Sequence, residues 1–412
     1  MYVTMAVSTS LPATACVQLL GIFILLPVIV GHRLFHWDEK PWDPEENMTA
    51  GELITSKGYP CEEHYVTTDD GFILNLQRIP HGRHQDTTGP VILLQHGLLG
   101  SSTNFLTNLA NESLAYILAD HGLDVWLSNS RGNTYSRNHT HLKPWQREFW
   151  EWTWDEMARY DLPAVLDHIL KITGQSQLYY VGHSQGTTIA FAEMSQNLQM
   201  QKKIKLFFAL APVGRVGHVI SPLRLLAPFV HKLEVLLGLF GDYEFLPNNK
   251  FFLELANGTC REDPVICQSA LFLMAGFDFK NTNMSRVPVY FAQSFCGTST
   301  FNMLHFAQEI HSGKFQKFDY GNPAANVKHY NQRTPPEYYP GNVSLPVAIF
   351  SADRDWLADP KDVDWLTQLL PNVVLNKQLK GWNHLDFVTG MNAPKLCYTD
   401  ILRLIKQHEV MI

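Results

Sequence analysis

The chain has 412 residues, of which 45% are apolar and 17% charged, and its formal net charge is −7. That length holds one large domain with an insertion, or two domains, and the apolar content rules out a disordered chain. A net negative sequence without runs of like charge excludes nucleic acid as a partner, because phosphate contacts need clustered Lys and Arg.

Residues 1–31 contain no Asp, Glu, Lys or Arg. Within them Val17 to Gly31 is a 15-residue apolar run, the length of a signal-peptide core and short of the roughly 20 residues of a spanning helix. An apolar leader for the secretory pathway is therefore expected, with an uncleaved anchor as the alternative. Six N-x-S/T sequons, at Asn47, Asn111, Asn138, Asn257, Asn283 and Asn342, fit export and glycosylation. Loss of the leader removes Cys16 and leaves Cys61, Cys260, Cys267, Cys296 and Cys397, an odd number that implies at least one free thiol. Cys260 and Cys267 either close a small disulfide loop or lie buried and unpaired. No cysteine or histidine spacing suits zinc, so no metal is expected.

In chain order, Tyr65 to Ile79 reads as a hairpin turned at Asp70-Gly71. The apolar run Val91 to Gln95 suits a strand buried on both faces, as do Asp124 to Asn129, Leu178 to Gly182, Leu206 to Pro212 and Leu345 to Phe350. Helical patterns that end near glycine lie between them. This alternation predicts an α/β fold with a mostly parallel central sheet, whose first part occupies 47–213 and second part 341–412. Residues 214–340 break the alternation and read as a helical insertion over the sheet. A helix from Pro394 to His408 closes the chain.

The main chemical signal is Gly182-His183-Ser184-Gln185-Gly186. The pattern G-x-S-x-G arises by chance in about one chain in ten of this length at ordinary Gly and Ser usage. Here a strand-like LYYV precedes it and a helix-like TTIAFAEMSQ follows, which is the strand–turn–helix context of a nucleophile elbow. Gly182 and Gly186 leave room for the tight turn that lifts Ser184 above the sheet. A serine nucleophile needs a general base, and the base needs an acid to orient it. His384, late in the chain in GWNHLDF, is the candidate base. Asp353, Asp355 and Asp359, in the loop after LPVAIF, compete as the acid. The oxyanion needs backbone donors, for which Leu98 and Gln185 are the candidates. The chemistry calls for no cofactor.

Long blocks in a fixed order resemble the acid lipase family, the gastric and lysosomal acid lipases. They include GYPCEEHYVTTDDGFILNLQRIPHG, LLQHGLLG, LADHGLDVWLSNSRGNTYSR, YYVGHSQGTT, DWLADPKDVD and NHLDF. The resemblance implies an α/β-hydrolase fold with a cap and movable lid, and lipid esters met at an emulsion or membrane interface. It matches Ser184 to the nucleophile, His384 to the base and, through spacing, Asp355 to the acid. It also supports Leu98 and Gln185 as oxyanion donors. The expected activity is hydrolysis of neutral lipid esters, triacylglycerol or cholesteryl ester, in a secreted or lysosomal enzyme. The alternatives are a small-ester carboxylesterase or thioesterase, and a non-catalytic lipid-binding relative.

Overall fold

In a computed structural model of the chain, the structure describes residues 43–84, 88–222, 224, 243–246, 256–278 and 280–410. The apolar leader and most of the Leu- and Phe-rich stretch expected over the sheet, 225–242, lie outside them.

The hairpin forms from β1 (Glu62–Thr67) and β2 (Phe72–Ile79), antiparallel, with Thr67 opposite Ile73. Gly71 takes the turn at φ +100°, a conformation that costs a residue without a Cβ little. Next come β3 (Val91–Gln95), β4 (Asp124–Ser128) and the short β5 (Asn138–His139), which the sequence reading missed because two residues carry no periodicity. β6 (Leu178–His183) and β7 (Ile204–Leu210) follow. β7 begins before the expected Leu206 and stops at Leu210, where Ala211 turns to φ +46° and Pro212 has no N–H for the ladder. β8 (Glu244–Phe245) and β9 (Thr298–Ser299) pair with each other inside the insertion. β10 (Val347–Ala352) and β11 (Val373–Leu379) return to the main sheet.

Among the described residues the sheet runs β1-β2-β4-β3-β6-β7-β10-β11, with β5 against β2, and is parallel from β4 onward. Every residue of β3, β4, β6 and β10 is buried, because helices cover both faces. β11, at the edge, alternates half-buried with exposed residues. The chain moves from β3 outward to β4 and then crosses back to β6, so its direction reverses between β3 and β6. Open α/β sheets bind ligands at the C-terminal ends of strands at such a switch point. His96 to Leu98 follow β3 there, and Ser184 follows β6.

The described part of the insertion is helical, with helices Pro264–Ala275, Val287–Ala292, Thr300–Ser312 and Pro323–Tyr330. The first starts with Pro264 behind Asp263, whose carboxylate accepts the Val265 amide and caps the helix. Cys260 and Cys267 form a disulfide and pack with Leu271, Val287 and Phe291 in a small core of their own. Cys61, Cys296 and Cys397 are free thiols.

Candidate active site

Ser184 stands between the end of β6 and the helix Gln185–Gln196, at φ +54°. A non-glycine residue held there costs about 1–3 kcal/mol, and such strain persists only where the surroundings enforce it. The enforcement is visible at the two glycines. A Cβ on Gly182 would lie 2.8 Å from the Gly186 carbonyl, and one on Gly186 would strike the Gln95 carbonyl of β3. The Ser184 amide is tied to Leu210 of β7 at 3.0 Å, and its carbonyl accepts from Thr187 Oγ1 at 2.6 Å.

The loop after β3 closes against this turn. A Cβ on Gly97 would sit 2.9 Å from Ser184 Cβ, so only glycine lets the loop pass. His96 fixes it from behind. Its Nδ1 donates to the Gly97 carbonyl at 2.7 Å, and its Nε2 accepts the Ser130 amide at 3.0 Å. Burial pushes its pKa down to about 4, so the ring is neutral and keeps this tautomer. The amides of Leu98 and Gln185 have no acceptor among the described residues. Gln185 occupies the first turn of its helix, where amides lack intrahelical partners and favour negative charge. Its side chain is held by Asn302 Nδ2 at 2.7 Å, a contact from the insertion that no sequence pattern signals.

His384 lies beyond β11 and Asp355 beyond β10. The ring Nδ1 meets Asp355 Oδ2 at 2.8 Å and Oδ1 at 3.0 Å, and both residues are buried. Asp355 Oδ1 also accepts the Leu357 and Ala358 amides at 2.9 and 2.8 Å. The two other aspartates have different work. Asp353 is exposed and accepts the Gly381 amide, while Asp359 caps the helix Pro360–Leu369 through the Lys361 amide. The His384 carbonyl accepts from His183 Nε2 at 3.0 Å, which brings the histidine turn against the elbow. His183 is fully buried beside the His384 ring, and burial, with that neighbour, pushes its pKa down to about 3. Ser184 Oγ makes no hydrogen bond to a described residue; in unliganded hydrolases this contact commonly tightens only when substrate binds.

Other histidines belong to the framework. His305 stacks on Trp154 with ring centroids 4.1 Å apart, and His329 stacks on Tyr320 at 3.6 Å. A cavity of about 280 Å³ reaches Asp355 and is lined on its apolar side by Ile220, Phe277 and Trp356. A larger one, about 750 Å³, lies among Asp155, Tyr320, Tyr330 and Tyr338 and touches none of Ser184, Asp355 or His384. Among the described residues no cluster of His, Cys, Asp or Glu could hold a metal, and no helix is long and apolar enough to cross a membrane.

The α/β hydrolase fold family matches residues 90–390, and the partial α/β-hydrolase lipase region matches residues 50–109. Human lysosomal acid lipase/cholesteryl ester hydrolase is 48% identical over 372 residues, covering 89% of this chain and 93% of that protein. The chain belongs to the acid lipase family of α/β hydrolases. Rat gastric triacylglycerol lipase is 46% identical over 375 residues, covering 89% of this chain and 94% of that one. Membership makes the chain a carboxylic ester hydrolase of the lipase type. A soluble variant of monoglyceride lipase from Saccharomyces cerevisiae shares the fold, with a TM-score of 0.52 at 15% identity over 90% of this chain and 99% of that one. Of the acid lipase sequons, Asn47, Asn111, Asn138 and Asn342 are exposed and Asn283 is half-buried, while the Asn257 side chain lies outside the described residues.

Proposed function

We propose that this acid lipase relative hydrolyses neutral lipid esters, triacylglycerol or cholesteryl ester, through a two-step acyl transfer on Ser184. The observation that carries the reading is the buried Asp355–His384 pair, anchored through His183 to a serine held at positive φ. With Asp355 accepting from Nδ1, the tautomer of His384 leaves Nε2 free to take a proton. His384 Nε2 takes the Ser184 proton as Oγ bonds to the ester carbonyl carbon. The Leu98 and Gln185 amides then hold the oxyanion, and each such donor is worth about 10²–10³ in rate. The intermediate collapses to the acyl-serine, and the alcohol leaves with the proton from His384. Water repeats the sequence and releases the fatty acid. Every proton returns to where it began, so the enzyme needs no co-reactant but water.

The names of the relatives support a neutral lipid as substrate, and the apolar wall of Ile220, Phe277 and Trp356 beside Asp355 suits an acyl or sterol group. The exposed sequons and the apolar leader support passage through the secretory pathway to the lysosome or outside the cell. Residues 214–340 serve in this reading as the cap that shelters the site, with a lid that moves at a lipid surface. The test is hydrolysis of triolein and cholesteryl oleate emulsions by the wild type and Ser184→Ala. The variant is expected to lose about 10⁶ in turnover, as serine hydrolases do without their nucleophile. Wild-type cleavage of soluble short esters alone would make it a small-ester carboxylesterase. Unchanged turnover in the variant would remove Ser184 from the mechanism.

A further inference from the structure

Asp386 lies two residues after His384 and has no part in the steps above, yet its buried carboxyl organises the turn that carries the imidazole. Its Oδ2 accepts the Asn383 amide at 2.6 Å, and Asn383 Oδ1 accepts the amides of Leu385 and Asp386 at 2.8 and 3.2 Å. The two side chains thus close a reciprocal ring around His384, as the partners of a capping box do. Asp386 Oδ1 accepts from Asn281 Nδ2 at 3.1 Å, a residue of the insertion 105 positions upstream.

The same segment of the insertion grips the turn at several further points. The Ala275 carbonyl accepts the His384 amide at 3.2 Å, and the Gly276 carbonyl accepts Asn383 Nδ2 at 3.0 Å. Asn281 in turn accepts the Met391 and Asn392 amides at 2.8 and 2.9 Å. Asp278, buried in this segment, faces the Asp386 carboxyl and accepts the Lys280 amide at 2.9 Å. The groups acting on Asp386 are Asn383, Asp278 and Asn281; Asp278 alone of these is a carboxyl, and no cation is among them.

We propose that Asp386 is a positioning residue for His384: with its carboxyl protonated beside Asp278 it latches the histidine turn to residues 275–282 of the insertion, and it releases the turn when it loses that proton. The proposal rests on His384 acting as the general base. Two carboxyls in one buried site cannot both ionise at low cost. Burial first and the Asp278 charge second raise the Asp386 pKa to about 8. A carboxyl raised in the folded state contributes fully at low pH, and its contribution is lost as pH rises through that value. The latch therefore governs the alkaline side of the profile.

The experiment is the pH dependence of kcat on a soluble short-chain ester, from about pH 5 to 10, with active sites counted by a fluorophosphonate. The wild type is expected to lose kcat reversibly around the Asp386 value, about pH 8. Asp386→Asn and Asp278→Asn each leave one carboxyl with a neutral amide partner. Each should move the alkaline fall upward by about one pH unit or more, with the acid side in place. Asp386→Ala removes the acceptor for Asn383 and Asn281 and should lower kcat by about 10² at every pH, with KM little changed. An alkaline side in either Asn variant that coincides with the wild type overturns the latch. A wild-type kcat that stays level to about pH 9.5 overturns it without any variant. If the wild type neither cleaves the ester nor reacts with the fluorophosphonate, the hydrolase reading beneath the latch fails as well.

Discussion

The serine side and the histidine side of this site are held by different physics. Around Ser184 the restraint is backbone against backbone: Gly97, Gly182 and Gly186 allow three chain segments to touch, and strands buried on both faces fix the turn. Around His384 the restraint is a polar network. Asp355 lies one strand away, His183 reaches across from the elbow, and residues 275–282 hold the turn from the insertion. Sterics of the first kind resist charge and pH, whereas a buried polar network is only as firm as its least satisfied member. The serine side should therefore be rigid under all conditions, and the histidine side responsive to pH and to the state of the insertion.

The sharpest way to sharpen that contrast is Asp355→Asn. The amide keeps an acceptor for Leu357 and Ala358 but favours the wrong imidazole tautomer, so kcat on a soluble ester should drop by about 10⁴ while the fold melts normally. A drop of less than about tenfold would break the assignment of Asp355. Next in size is Gly186→Ala, which drives a methyl into the Gln95 carbonyl. Overpacking of this kind should cost about 3 kcal/mol, visible as a lowered midpoint in urea, and a neutral result would mean the elbow yields more than its geometry implies. The smallest effect is expected from Cys260→Ser/Cys267→Ser. Opening so short a loop removes about 2–3 kcal/mol. Hydrogen exchange should then rise in the helix Pro264–Ala275 and in the His384 turn, and stay unchanged in β3 and β6. Equal loss of protection on both sides would erase the distinction drawn here.

Much of the scaffold is legible in the sequence because its signals are local. A run such as VILLQ suits a strand buried on both faces, and Asp70-Gly71 announces its own turn. The elbow is legible for the same reason, since its steric demands fall on adjacent residues. Short β5 and the early start of β7 are not, because pairing with a neighbour decides them. Among Asp353, Asp355 and Asp359 the residues alone offer no choice. The family spacing points to Asp355, and the structure adds the reason: the other two carboxylates serve a backbone amide each, and Asp355 turns inward to the ring. Asn302 and Asn281 carry no local signal, and His183 is legible only as a residue of the elbow, although NHLDF contains Asp386 in plain view.

What the sequence determined by itself was the sheet, the position of Ser184 at a strand end, and the membership of the chain in a lipase family. These follow from apolar periodicity, glycine placement and long runs of shared residues, all read along the chain. Only the tertiary structure showed how Asp355 is held against the His384 ring, how His183 anchors that turn, and that Asn281 reaches Asp386 across 105 residues. Hydrogen bonds between distant segments depend on where the sheet and insertion bring them together, and no local pattern encodes a partner that far away.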